Sequence, residues 1–158
     1  MKELTEYRQK LMDRLAAAAT EFRAACLAVK KPFAPLEAGG WSLHQVAVHT
    51  RDIDKLVYGM RARRTLAEDN PKFPNFDGEA YMARHYDAQE PLGELLDELV
   101  DNVQSLVKQL SSMPVEGWSR LSSHETQGDG LTLQTWVERG VEHLEEHLAT
   151  VKKAGQST

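Results

Sequence analysis

Three of the six histidines in this 158-residue chain stand where a helix would normally place an apolar residue. His143 and His147, in the stretch VEHLEEHLAT, are four residues apart, about one helical turn. Side chains so spaced share one helix face, ~5–6 Å apart at Cβ. Two imidazoles in that arrangement can converge on one ion at ~2.0–2.1 Å from each nitrogen. A third ligand must come from a neighbouring helix. His49, in GWSLHQVAVHT, falls between Val46 and Ile53 on an otherwise apolar stripe and has the right type. Three neutral imidazoles leave at least one coordination position open, which is the catalytic rather than the structural arrangement. Zinc suits the set, and nickel, copper and iron also accept imidazole. The same spacing has a plainer reading, in which the histidines are satisfied core residues or polar groups on an acidic helix.

The residues around these histidines offer less chemistry. Glu142, Glu145 and Glu146 read as the solvated face of the last helix. Glu146 or Asp52 could orient a ligand histidine from behind. His44 lies in the first turn of its helix and off the inner stripe, while His85 and His124 fall in or near loops. All three are expected to be exposed rather than ligating. HLEEH lacks the glutamate that follows the first histidine of HExxH, and neither a glycine-rich phosphate loop nor a GxSxG elbow occurs. Cys26 sits on an apolar stripe and reads as an inert core residue.

Four long stretches with helical periodicity must position these groups. The first runs from about Leu4 to Val29, with Leu4, Tyr7, Leu11, Leu15, Ala18, Phe22 and Cys26 on one face. KKPFAPLEAGG ends it. The second begins at Ser42, an N-cap with Gln45 where a capping box needs it, and ends near Ala67. Its inner stripe reads Val46, His49, Ile53, Val57, Met60. EDNPKFPNFDG reads as a loop, and EAYMARHY as a short extra helix. The third long helix opens at Pro91, a favoured first-turn residue, and is bounded by Pro114. Its inner positions are all Leu or Val. SRLSSHETQGDG reads as an extended loop. The fourth helix starts near Thr132 and continues to about Lys153. No alternating run is long enough to suggest a strand. The expected fold is an all-α four-helix bundle in a single domain spanning residues 1–158.

Composition narrows the function classes. The net charge is −5, which disfavours nucleic acid as a partner. The one basic cluster, RARR at 61–64, is followed by Glu68 and Asp69 and reads as a solvated helix end. A single cysteine precludes an intrachain disulfide and fits a reducing compartment. The start, MKELTEYRQK, has no apolar signal core, and no segment approaches the ~20 apolar residues of a membrane helix. A cytoplasmic protein with no membrane partner is expected.

GWSLHQVAVHT resembles the segment opening the second helix in the DinB-like superfamily, where Trp-Ser precedes the helix carrying the first metal histidine. By position in that motif the histidine is His49. The last helix of the family carries HxxxH, matched here by His143 and His147. RLSSHETQGDGLTLQTW is similar to a loop in which a histidine precedes a glycine and a Thr-Leu helix start. The resemblance covers Trp41 to Val151. It implies a four-helix bundle with a three-histidine divalent-metal site, zinc or nickel, and an often dimeric assembly. Some members of the family are thiol transferases using bacillithiol, mycothiol or glutathione. In one place the chain departs: the bacillithiol branch often has His-Pro in the loop, and this chain has His124-Glu125.

The leading expectation is therefore a metal-dependent S-transferase that joins a low-molecular-weight thiol to a small-molecule electrophile. Tyr58, Arg61 and His124 are the candidates for substrate contact. A metal-dependent hydrolase and a non-enzymatic metal-binding stress protein are the alternatives.

Overall fold

The computed structural model describes residues 1–156. Its long elements are α1 (Lys2–Leu27), α2 (Leu43–Ile53) running through a π-turn (Asp54–Tyr58) into α3 (Gly59–Ala67), α5 (Leu92–Ser112) and α6 (Leu133–Gln156). The short α4 (Gly78–His85) lies between α3 and α5. The bundle and the extra helix are as the sequence suggests. No helix among the described residues is long and apolar enough to cross a membrane.

The helix starts follow from local chemistry. Ser42 accepts from the Gln45 backbone N–H while the Gln45 side chain accepts from Ser42 N–H, a complete capping box. Asp77 caps α4 through Ala80 N–H, and the Thr132 hydroxyl accepts from Thr135 N–H at the start of α6. Pro91 is the N-cap of α5 rather than its first helical residue.

The core is one continuous cluster. Leu11, Leu15, Phe22 and Cys26 of α1 meet Leu96, Leu99, Val103 and Leu106 of α5 and Val137, Val141, Leu144 and Leu148 of α6. Leu4 and Tyr7 lie outside it, each 40% exposed, because the first turns of α1 extend past the packed layer. There the Tyr7 hydroxyl donates to the Glu138 carboxylate.

Around the bundle, α1 contacts α5 and α6, and the α2–α3 helix also contacts α5 and α6. Consecutive long helices α1 and α2 are thus diagonal, as are α5 and α6. Diagonal steps need long crossovers, and segments 28–42 and 113–132 provide them.

The second crossover is not a plain loop. It holds a short 3₁₀ turn (Val115–Ser119) and then two strands, β2 (Leu121–His124) and β3 (Gly128–Thr132), paired antiparallel. β1 (Lys72–Phe73), in the loop after α3, pairs parallel to β2 with Phe73 opposite His124. The sequence reading missed this sheet because its strands hold two to five residues, too few for an alternating pattern. The hairpin turn closes at Gly128, whose φ of 93° an L side chain rarely adopts.

The π-turn has a steric requirement at Gly59. Its N–H donates to Asp54 O, and a Cβ added there would lie 2.5 Å from that oxygen and 3.0 Å from Arg63 Nη1. Gly→Ala inside an ordinary helix usually stabilises by about 0.5–1 kcal/mol. At this turn the sign should reverse. Gly59→Ala is expected to destabilise by about 1–3 kcal/mol through forced backbone shifts. Urea unfolding of the two proteins measures it, and a higher midpoint for the variant would contradict the steric account.

Candidate metal centre

His49 projects from α2, and His143 and His147 from successive turns of α6. One ring nitrogen from each lies within 4.8 Å of the other two. Ring centroids are 5.4 Å apart for His49 and His143, 5.1 Å for His49 and His147, and 4.4 Å for His143 and His147. The helices come close here because Gly140 presents no side chain. A Cβ at that position would lie 3.3 Å from Tyr58 Cβ.

The donor set fits a metal ion. The Nε2 atoms of His143 and His147 are 3.0 Å apart. Two nitrogens each ~2.0–2.1 Å from a shared ion stand about 3 Å from one another. Apart from that mutual contact, none of the three rings has a hydrogen-bond partner in the protein among the described residues. Half-buried imidazoles without partners are costly unless something else satisfies them. Burial, with the neighbouring His147, pushes the His49 pKa down to about 4. Burial, with His147 and His49, pushes His143 down to about 3. Burial also lowers His147, against the pull of Glu146. All three rings are therefore neutral near pH 7, the form that coordinates.

The glutamates lie outside, as expected. Glu142 and Glu146 are exposed, and Glu145 accepts from Arg14 of α1. Asp52 accepts from Arg51 Nε at 2.8 Å, so its carboxylate is engaged away from the triad. Behind His49 lies the Trp41 ring, 5.0 Å away between centroids. Beyond His143, a cavity of about 230 Å³ opens between α3, the loop after β1 and the hairpin. Tyr58, Arg61 and His124 line it together with His143, Ile53 and Phe76. Tyr58 faces His143 at 5.7 Å between ring centroids. Among the described residues no carboxylate lines this cavity.

Two expectations for the other histidines fail. His44 is 1% exposed: its Nδ1 contacts the Tyr86 hydroxyl and its Nε2 the Glu90 carbonyl, each at 2.7 Å. The segment joining α4 to α5 covers that face of α2, which periodicity within α2 could not reveal. His124 is 3% exposed, because β2 is held between two other strands and lays the ring toward Trp136. His85 is exposed, as expected, and stacks on Tyr81. The RARR cluster is not a solvated helix end either. Arg64 pairs with Glu68 at the surface, but Arg63 donates to Asn102 O and Arg61 is buried.

A family model for the DinB superfamily matches residues 9–151, and the chain belongs to that superfamily. Among solved structures it is similar to YfiT from Bacillus subtilis, described as a probable metal-dependent hydrolase with an unusual four-helix bundle topology. The two share 20% identity, with a TM-score of 0.84 over 96% of this chain and 87% of that one. No match was found among curated proteins. The histidine cluster and the family together fit a metal-dependent enzyme.

Two measurements check the site. Elemental analysis of untagged protein should find about one divalent ion per chain, with His49→Ala losing it, since an open catalytic site has three protein ligands. Equal metal content in both proteins would dissolve the triad. In metal-free protein, stability should fall as pH drops from about 6.5 toward 4. In that window the unfolded chain protonates these histidines and the folded chain does not, so acid favours unfolding. Melts against pH after chelation read this directly.

Proposed function

We propose that the protein is a metal-dependent transferase that joins the sulfur of a low-molecular-weight thiol to an electrophilic carbon, the thiol proton passing to solvent and the leaving group departing from that carbon with its bonding pair. One observation carries the reading: among the described residues no carboxylate lines the cavity beside the triad, and its one histidine outside the triad, His124, has Nδ1 occupied by the Thr126 and Gln127 N–H groups. Hydrolysis through a metal-bound water usually draws on a nearby carboxylate or histidine to move protons. A thiol needs less help, since its pKa of ~8.5 lies close to neutrality. His49, His143 and His147 would hold a divalent ion, and its Lewis acidity would keep a thiol ionised.

The chain's own residues supply the rest. No protein nucleophile takes part. Cys26 is fully buried and its thiol pKa is pushed up to about 12 by burial. Ile53, Val57 and Phe76 give the cavity an apolar patch on which the carbon framework of the electrophile can pack. Tyr58, Arg61 and His124 are the polar groups that orient it, and all three line the cavity together with His143.

A hydrolase is the second reading. YfiT, similar in fold, is described as a probable metal-dependent hydrolase, and His124 in the same cavity offers an imidazole for proton transfer. The two readings separate in one assay. Metal-loaded protein should conjugate monochlorobimane with bacillithiol, mycothiol or glutathione. Chelation or His143→Ala should slow it by on the order of 100-fold or more, because the metal contributes several kcal/mol to the transition state. Metal-dependent cleavage of p-nitrophenyl acetate without any thiol, and no conjugation, would favour the hydrolase.

A further inference from the structure

We infer that the cavity beside the triad binds a carboxylate group carried by the substrate, with Arg61 and His124 as its two donors. The inference rests on reading that cavity as the substrate chamber.

Arg61 is 4% exposed. Its guanidinium lies over the Trp136 ring at 4.8 Å and the Phe73 ring at 5.9 Å. These contacts hold the cation but do not neutralise it. Of the two buried arginines, Arg51 reaches carboxylates within 4.0 Å, and Arg61 reaches none among the described residues. Among the described residues its Nε has no hydrogen-bond partner, and the one acceptor its Nη2 reaches is Pro74 O, at a long 3.3 Å. A buried charge in this condition is costly, and burial and Arg139 both press against it.

The other contact of Nη2 is with His124 Nε2, also at 3.3 Å. The hydrogen bonds of the ring decide its nature. His124 Nδ1 faces the backbone N–H groups of Thr126 and Gln127 at 3.1 and 3.3 Å. Nδ1 is therefore the acceptor, and the proton of the neutral ring is on Nε2. Burial and the charges of Arg61 and Arg139 favour that neutral form. So an N–H of His124 points at an N–H of Arg61, and no hydrogen bond joins them. Two buried donors converge on the cavity with no acceptor between them.

One oxygen placed between them satisfies both, and an anionic oxygen also neutralises Arg61. A second cation, Arg139, lies 5.2 Å over the Trp136 ring and adds to the positive field. A carboxylate monoanion matches two donors and an apolar wall. A phosphate dianion has more acceptor positions than these donors fill. The substrate would then be an electrophilic organic acid, its carboxylate at Arg61 and His124 and its reactive carbon toward His143.

The test uses the metal-free full chain, so that no carboxylate can bind through the metal. ¹⁵N-labelled protein is titrated with propionate and with benzoate while the Trp136 indole N–H resonance is followed. Saturable shifts are expected. Arg61→Gln should weaken binding by roughly tenfold or more, the loss of a hydrogen bond to a charged group, with Arg61→Lys in between. Inorganic phosphate should bind more weakly than either acid. The absence of a saturable shift in the wild-type protein overturns the inference, however the variants fold. Tighter binding of phosphate, or an unchanged affinity in folded Arg61→Gln, also overturns it. Carboxylate binding without thiol conjugation would sink the transferase reading alone. Conjugation of uncharged electrophiles without carboxylate binding would sink this inference alone.

Discussion

The close approach of α6 to the α2–α3 helix is the constraint on which the rest depends. Gly140 against Tyr58 allows it. Within a turn of that contact, His143 meets His49 across the interface, and His147 follows one turn later. Burial then holds all three imidazoles neutral. A bundle could fill this space with leucine, as α5 does along its whole inner face. Here three rings carry two nitrogens each, and among the described residues the His143–His147 contact is their one hydrogen bond. Packing supplies the stability elsewhere in the core, and at this interface it is spent on holding donor atoms in place.

The same helix pair shows how a local irregularity changes which side chains one face buries. A regular continuation of the stripe Val46, Ile53, Val57 brings Met60 inward. The π-turn inserts an extra residue before Gly59, and the buried positions become Arg61, Ala62 and Thr65, with Met60 only partly buried. A π-turn of this kind often accompanies a functional site, since it re-aims the side chains that follow. It carries Arg61 beneath the sheet, against Trp136 and Phe73. Trp136 is itself fixed by its indole N–H donating to Ser122 Oγ, which donates onward to Leu131 O. The cation thus rests on a ring that cannot turn away.

The helices and the triad were legible in the sequence because both are written in short-range periodicity. Ser42 with Gln45 marked a boundary that the capping box reproduces, and His49 stood out as the one non-apolar member of its stripe. What escaped was set by contacts between distant segments. His44 is buried by Tyr86 and Glu90, some forty residues away in the chain, and no spacing within α2 encodes that. Arg61 in RARR looked like its solvated neighbour Arg64 because only the π-turn distinguishes them. The sheet was too short to leave a pattern, yet it places His124.

That sheet also explains the departure from the bacillithiol-transferase pattern at Glu125. Its backbone N–H donates to Phe73 O at 2.9 Å, one of the bonds joining β2 to β1. Its carboxylate accepts from Asn75 N–H at 2.9 Å. Proline has no N–H and would lose the first of these outright. The residue after His124 therefore fastens the loop carrying Phe73, Asn75 and Phe76 to the hairpin, and that loop is one wall of the cavity. The three histidines themselves project from α2 and α6, on neither of the segments that this bond joins. The departure thus acts on the wall of the cavity and not on the three-histidine cluster. Differences in substrate within such a family can arise this way, through one backbone hydrogen bond in a crossover rather than through any residue that touches the metal.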